Sequence, residues 1–165
     1  NTFVDGNFLI TSYYRDGTTV HDITHPNYMI QVAYYDSYSG SGSGYDGCWG
    51  TYPYLPSGNI ISSDINSGAG GNGKLLIYGR NFLQACYLQG NIYDGLSGSI
   101  IANAGIEILT TINSETSNLL GYYQTAILDS GTYQVVFSAN GYISDTIPLL
   151  LTNGVMIVQD VFLNP

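Results

Sequence analysis

Ser130-Gly-Thr-Tyr-Gln-Val-Val-Phe-Ser-Ala-Asn-Gly-Tyr142 is the stretch on which the reading of this chain turns. Tyr133, Val135 and Phe137 alternate with Thr132, Gln134, Val136 and Ser138. An apolar/polar period close to two marks a half-buried β-strand. Asn140-Gly141 follows, and both residue types tolerate positive φ, so the pair signals a tight turn. Leu149–Leu151, Asn153-Gly154 and Val155–Leu163 repeat the order of strand, turn and strand. The end of the chain is therefore expected to be an antiparallel meander with one buried face.

Working toward the N-terminus, the same signals recur. Lys74–Arg80, Asn59–Asp64, Cys48–Tyr54, Tyr28–Asp36, Thr18–Ile23 and Asn7–Tyr14 read as strands, with Asp16-Gly17 as a tight turn and Pro53 and Pro56 at strand ends. Asn1–Asp5 is a short lead carrying Phe3 and Val4, and Ser37–Gly47 is a Ser/Gly/Tyr loop. No long segment has a helical period. Ala104–Asn113 comes nearest, but its Ile and Thr content favours strand. The fold class expected is all-β.

Leu88-Gln-Gly-Asn-Ile-Tyr-Asp-Gly, Ala104-Gly-Ile-Glu-Ile, Gly121-Tyr-Tyr, the stretch from Gly131 to Tyr142 and the closing Val161-Phe-Leu-Asn-Pro occur in an order that resembles a carboxypeptidase regulatory-like domain. The resemblance implies a transthyretin-like β-sandwich of about seven strands over residues 88–165, with an accessory or structural role and no catalysis. Gly17-Thr-Thr-Val-His-Asp-Ile-Thr-His-Pro, Val32-Ala-Tyr-Tyr-Asp and the run from Gly47 to Ile65 resemble the C-terminal end of a choice-of-anchor B protein, a β-propeller of LVIVD-type repeats. That resemblance implies incomplete, propeller-like antiparallel sheets over residues 1–87 and a secreted or surface location. A blade takes about 40 residues and closure needs at least about four blades, whereas residues 1–87 hold about two. Strand edges in this half are expected to lack partners, and such edges are templates for pairing with another chain.

Composition excludes several partners. Charged residues make up 9% of the chain, against roughly 25% in an ordinary soluble domain, and the net charge is −9. Three basic residues cannot neutralise a nucleic-acid backbone, and an anionic membrane surface would repel the chain. No apolar run reaches the roughly 18 residues that would span a bilayer as a helix. The start at Asn1 fits a processed product or an excised fragment. Cys48 and Cys86, in a chain of secreted character, are expected to form a disulfide worth on the order of 4 kcal/mol, the alternative being two buried thiols.

Few residues suggest chemistry. Gly68-Ala-Gly-Gly-Asn-Gly-Lys74 approaches a phosphate-binding loop, but Leu75 replaces the Ser or Thr and a strand follows where a helix is needed, so a hairpin loop is the better reading. His21 and His25 flank Asp22, but four positions along a strand span about 13 Å, too far for one metal ion. Asp64 and Asn66 offer hard oxygen ligands for Ca²⁺ without EF-hand spacing, and an Asx-turn accounts for them equally. Gly95–Ser99 only approaches a nucleophile elbow; Glu107 and Glu115 are the only glutamates, Glu107 alternates outward on a predicted strand, and nothing suggests the cleft a carboxylate pair needs. No catalytic residue, cofactor or metal is expected. Thr146, in Asp145-Thr-Ile147, is a candidate O-glycosylation residue that would make the chain a glycoprotein. The tyrosines, among them Tyr13-Tyr14, Tyr34-Tyr35, Tyr45, Tyr52 and Tyr54, exceed what a core needs and suit subunit contact or carbohydrate stacking.

The expectation is thus a non-catalytic extracellular or cell-surface protein, the subunit of a filament or matrix, partnered by its own copies through exchanged strands. The exchanging segments proposed from sequence are Thr2, Phe3 and Val4 at one end and Val155, Ile157, Val161 and Leu163 at the other. The alternative is a glycan- or peptide-binding or spacer module of a larger secreted bacterial protein.

Overall fold

The structure, a computed structural model, describes residues 1–38, 40, 44–65 and 72–165. Fifteen strands are present among them: β1 (Thr2–Asp5), β2 (Phe8–Ser12), β3 (Thr18–Asp22), β4 (Ile30–Tyr35), β5 (Cys48–Tyr52), β6 (Ile60–Asp64), β7 (Lys74–Tyr78), β8 (Cys86–Asp94), β9 (Gly105–Ile108), β10 (Ser114–Thr116), β11 (Tyr122–Ile127), β12 (Gly131–Ser138), β13 (Asp145–Leu151), β14 (Met156–Val158) and β15 (Val161–Leu163). No helix occurs among the described residues. The chain forms two compact units, Asn1–Gln84 and Ala85–Pro165.

The second unit is a sandwich of two sheets, ordered β10-β9-β12-β13 and β11-β8-β14, with β15 also on β8. The alternation in β12 does what its period requires: Val135 and Phe137 are fully buried while Thr132 and Gln134 face solvent. They pack with Leu88, Ile92, Ile106, Ile108, Tyr123, Leu149, Leu151, Val161 and Leu163. Tyr123 meets Phe137 edge to face at 5.5 Å and donates its hydroxyl to the Gln159 carbonyl at 2.7 Å. β12 and β13 form the expected antiparallel hairpin around Asn140-Gly141.

The last strand corrects the expected meander. After Asn153-Gly154 the chain does not return along β13. It crosses to the other sheet, where β14 and β15 run parallel to β8. They are two pieces of one strand, broken at Gln159-Asp160, so the eight strand segments from β8 to β15 make a seven-stranded sandwich. Gly90 permits the break, because a Cβ there would lie 1.9 Å from the Gln159 carbonyl oxygen. A period of two fixes which face of a strand is buried, but not its neighbour or its direction.

The first unit has two antiparallel meanders, a four-stranded sheet β1-β2-β3-β4 and a three-stranded sheet β5-β6-β7. Their facing sides bury Ile10, Val20 and Ile60, with Phe8, Val32, Ala33, Tyr78 and Phe82 around them. Beside this small apolar cluster the interior is lined with hydroxyls. Thr18 Oγ1 lies 2.7 Å from Ser62 Oγ, and Ser62 in turn donates to Thr51 Oγ1 at 3.1 Å. Buried polar groups of this kind are tolerable because they satisfy one another.

The expected disulfide is not formed. Cys48 and Cys86 are free, buried thiols belonging to different units. Cys48 lies 3.3 Å from the Thr18 hydroxyl and donates toward the Gly50 carbonyl, whereas Cys86 packs among the apolar side chains of the sandwich. Burial pushes the Cys86 thiol pKa up, which disfavours the reactive thiolate.

Candidate functional site

The two sheets of the first unit are tied at one end and open at the other. At the tied end Ser12 donates from its backbone to the Asn1 carbonyl at 3.0 Å, Thr51 donates from its backbone to Asn1 Oδ1 at 3.1 Å, and the Tyr54 hydroxyl donates to the Val4 carbonyl. Phe3, Tyr52 and Tyr54 pack edge to face around this closure, with centroids 5.5–6.0 Å apart. Arg80 pairs with Asp5 and donates to the Pro53 carbonyl.

At the other end β4 and β7 are the outermost strands, each paired on one side only among the described residues. Between them lies a groove of ≈ 600 Å³, whose walls include Val20, Ala33 and Tyr35 from one sheet and Ile60, Tyr78 and Phe82 from the other side. Tyr35 and Tyr78 meet across it with ring centroids 5.3 Å apart. The Tyr78 hydroxyl is buried beside Thr18 and Ser62 without a well-formed hydrogen bond, and burial raises its pKa. The strands flanking the groove are apolar and bare: Tyr34, Tyr35, Leu75 and Ile77 are 68%, 52%, 68% and 64% exposed. β4 carries no charged residue, and β7 carries only Lys74.

The edges of the sandwich are blunter. Pro148 lies within β13 and cannot donate to an added strand, and β10 is three residues long. β5, β11, β14 and β15 are also edges without charge, but β4 and β7 are the pair that flank a groove. What this arrangement can do is accept hydrogen bonds from, and donate them to, an added strand while covering its apolar side chains.

The segments singled out for exchange lie elsewhere. Thr2, Phe3 and Val4 sit in β1, paired with Thr11, Ile10 and Leu9 of β2. Val155 precedes β14, Ile157 pairs with Leu88, and Val161 and Leu163 are buried opposite Ile92 and Asp94. The chain ends suggested by the sequence are already paired, whereas β4 and β7 each keep one edge unpaired among the described residues. A signal was present in Lys74-Leu-Leu-Ile-Tyr78, which has apolar residues on both faces where a half-exposed strand should alternate.

The remaining candidates do not converge. His21 is half-buried on β3 with Nδ1 unpartnered, and desolvation lowers its pKa. His25 lies in the following turn, while Asp22 is buried and accepts from Thr24 through its amide and hydroxyl. Asp64 is buried and accepts from Ser37, whereas Asn66 and Gly68–Gly71 lie outside the described residues. Among the described residues no three His, Cys, Asp or Glu side chains are placed to share a metal ion. Glu107 and Glu115 point to solvent from β9 and β10, and Thr146 is exposed on β13. Gly95–Ser99 is a turn closed by Asp94, whose Oδ1 accepts from the amides of Leu96 at 2.7 Å and Ser97 at 2.9 Å. Asp94 Oδ2 also accepts from the Tyr142 hydroxyl at 2.9 Å, and together these bonds hold its pKa below the ordinary value.

No protein-family model and no curated protein matches the chain, so neither motif resemblance is supported by a family match. Solved structures similar to it include the backbone protein of pilus 2b from group B streptococcus, at 16% identity and a TM-score of 0.37, over 67% of this chain and 50% of that one. A minor pilin of Streptococcus agalactiae is 12% identical with a TM-score of 0.37, over 68% of this chain and 62% of that one. The chain thus matches only about half to three fifths of the length of either protein. A likeness at that score transfers neither fold detail nor role.

Proposed function

We propose that this chain is a non-catalytic structural subunit of an extracellular or cell-surface filament or matrix, and that it associates with further copies by β-strand pairing at the open end of its first unit. The observation that carries the reading is the pair of bare edges: β4 and β7 flank a groove and expose Tyr34, Tyr35, Leu75 and Ile77, with a single charge between them. Exposed edges of this kind are normally guarded by charge, proline or short length.

Charge supports the same surface. Copies carrying a net −9 repel one another; Asp16 and Asp36 border Tyr34 of β4, whereas β7 carries Lys74 and no carboxylate, so the β7 side is the better placed for contact. A fourth strand beside β7 would satisfy its outer backbone groups and point alternate side chains into the groove. β1, β14 and β15 are already paired, so exchanging them would first require those pairs to open. The edges at β4 and β7 lose nothing on pairing. If the added strand comes from a different part of the neighbour, the contact is head-to-tail, does not close, and propagates into fibres.

Sedimentation velocity over a concentration series, followed by electron microscopy of the most concentrated sample, tests the reading. Concentration-dependent growth into filaments is expected. A chain that stays a compact monomer throughout would reject it.

A further inference from the structure

A second surface of the first unit shares no residue with the groove. Tyr14, Tyr45 and Trp49 form an exposed ring cluster, 37%, 75% and 55% accessible. Tyr14 meets Tyr45 at 5.1 Å and Trp49 at 5.9 Å between centroids, with interplanar angles of 70° and 77°. Both contacts are edge to face, and Trp49 remains 55% exposed. Beside them Arg15 is ion-paired with Asp46 and sits over the Tyr38 ring, 4.5 Å from its centroid.

Two backbone departures converge on these rings. The β5–β6 register passes from Cys48 opposite Asp64 to Gly50 opposite Ser63, which leaves Trp49 on a bulge. Bulges re-aim a side chain and recur beside binding sites. Tyr14 has φ 48°, a left-handed conformation that non-glycine residues seldom adopt. It is held there by reciprocal backbone bonds with Cys48, Tyr14 N to Cys48 O at 3.0 Å and Cys48 N to Tyr14 O at 2.8 Å. Gly47 allows this approach, since a Cβ there would lie 2.4 Å from the Tyr14 carbonyl oxygen. Strain kept at an exposed aromatic cluster points to a use for the cluster.

We propose that this cluster is a binding site for a neutral oligosaccharide. The apolar C–H face of a pyranose would lie on the Trp49 indole, with Tyr14 and Tyr45 at its flanks. The tyrosine hydroxyls supply donors and acceptors for ring hydroxyls, with the partly exposed Arg15–Asp46 pair at the margin of the site. Charge selects the class: the chain carries −9, and Arg15 is already balanced by Asp46, so an acidic sugar finds no uncompensated cation here.

Trp49 is the sole tryptophan, so its emission reports the site directly. The full chain is titrated with maltohexaose, cellohexaose and chitohexaose, and with an oligogalacturonate as the acidic comparison. At least one neutral sugar is expected to shift the emission to the blue and protect it from acrylamide quenching. Tyr45→Ala, at the most exposed ring, keeps the reporter and should weaken that sugar about three- to tenfold, the worth of one ring contact. Trp49→Ala, followed by calorimetry, should abolish binding. Failure of all three neutral sugars, preference for the acidic one, or unchanged affinity in both variants would overturn the assignment. Leu75→Lys, on β7, should leave sugar binding unchanged, which separates this site from assembly.

Discussion

Replacing Leu75 and Ile77 together by lysine puts the assembly surface at risk without disturbing the fold. Leu75 and Ile77 are 68% and 64% exposed, and Ile77 also borders the groove. Fully burying a Leu or Ile side chain is worth about 1.5–3 kcal/mol, so covering the exposed two thirds of each contributes about 1–2 kcal/mol, or about 2–4 kcal/mol for the pair. That range corresponds to about 30- to 1,000-fold in the association constant. Two added cations also guard the edge in the way natural edge strands are guarded. Substitutions at exposed positions usually change folding stability by no more than about 0.5 kcal/mol, so the melting temperature should barely move. Sedimentation velocity should show the association midpoint displaced upward by that factor, with filaments lost in micrographs. Leu150→Lys is the control: it is 65% exposed, but on β13, the edge that already carries Pro148. If the double variant assembles at the same concentration as the parent while keeping its melting temperature, β7 is not the contact and the reasoning fails.

The sandwich offers four further tests. Phe137→Ala empties a fully buried site beside Tyr123 and should cost the second unit about 3–5 kcal/mol in urea unfolding. Tyr123→Phe removes a hydroxyl that donates to Gln159 and should cost about 0.5–1.5 kcal/mol; in the parent, burial raises this phenol's pKa, so a spectrophotometric titration should find it among the last tyrosines to ionise. Asp94 has its folded pKa depressed, chiefly by the amides of Ser97 and Leu96, so its contribution is present above its ordinary value of 3.8 and is lost as pH falls through the lower folded value. Melting temperatures measured below about pH 4 should therefore fall in the parent and fall less steeply in Asp94→Asn. Gly90→Ala would drive a methyl into the Gln159 carbonyl, and proteolysis should then clip the chain near β14 and β15.

How much of this was legible in the sequence depends on which property a local pattern can encode. Most strands of the first unit fall where turn residues and alternation put them, Asn7–Tyr14 containing β2, Thr18–Ile23 containing β3 and Tyr28–Asp36 containing β4, whereas Asn1–Asp5, read as a lead, holds β1. Pro53 follows the end of β5 as its missing N–H demands. The partners of a strand are not local. Met156–Leu163 alternates equally well whether it returns along β13 or runs beside β8, and only the close approach at Gly90 records the second choice. The same limit explains the thiols, because composition suggested a bond between Cys48 and Cys86 and could say nothing of their belonging to separate units. It also explains the edges: that β4 and β7 end their sheets is a fact of topology, visible in the sequence only as the missing alternation of Lys74–Tyr78.

The open end and the ring cluster have a common origin in composition. A chain with 9% charged residues has little with which to guard a strand edge or crowd an aromatic surface, and its polar faces are built from Ser, Thr, Asn and the hydroxyls of Tyr. The two sandwich edges least exposed to added strands manage without charge, by Pro148 in β13 and by the brevity of β10. The first unit closes one end by the same economy, with Asn1 and the Tyr54 hydroxyl taking up backbone groups that a strand would otherwise use. Beside β4 and β7 the groove holds Arg80, paired with Asp5, but neither strand carries a proline and the strand residues themselves carry only Lys74. The scarcity of such guards where the strands are most apolar is what a surface meant to be covered by another chain would show.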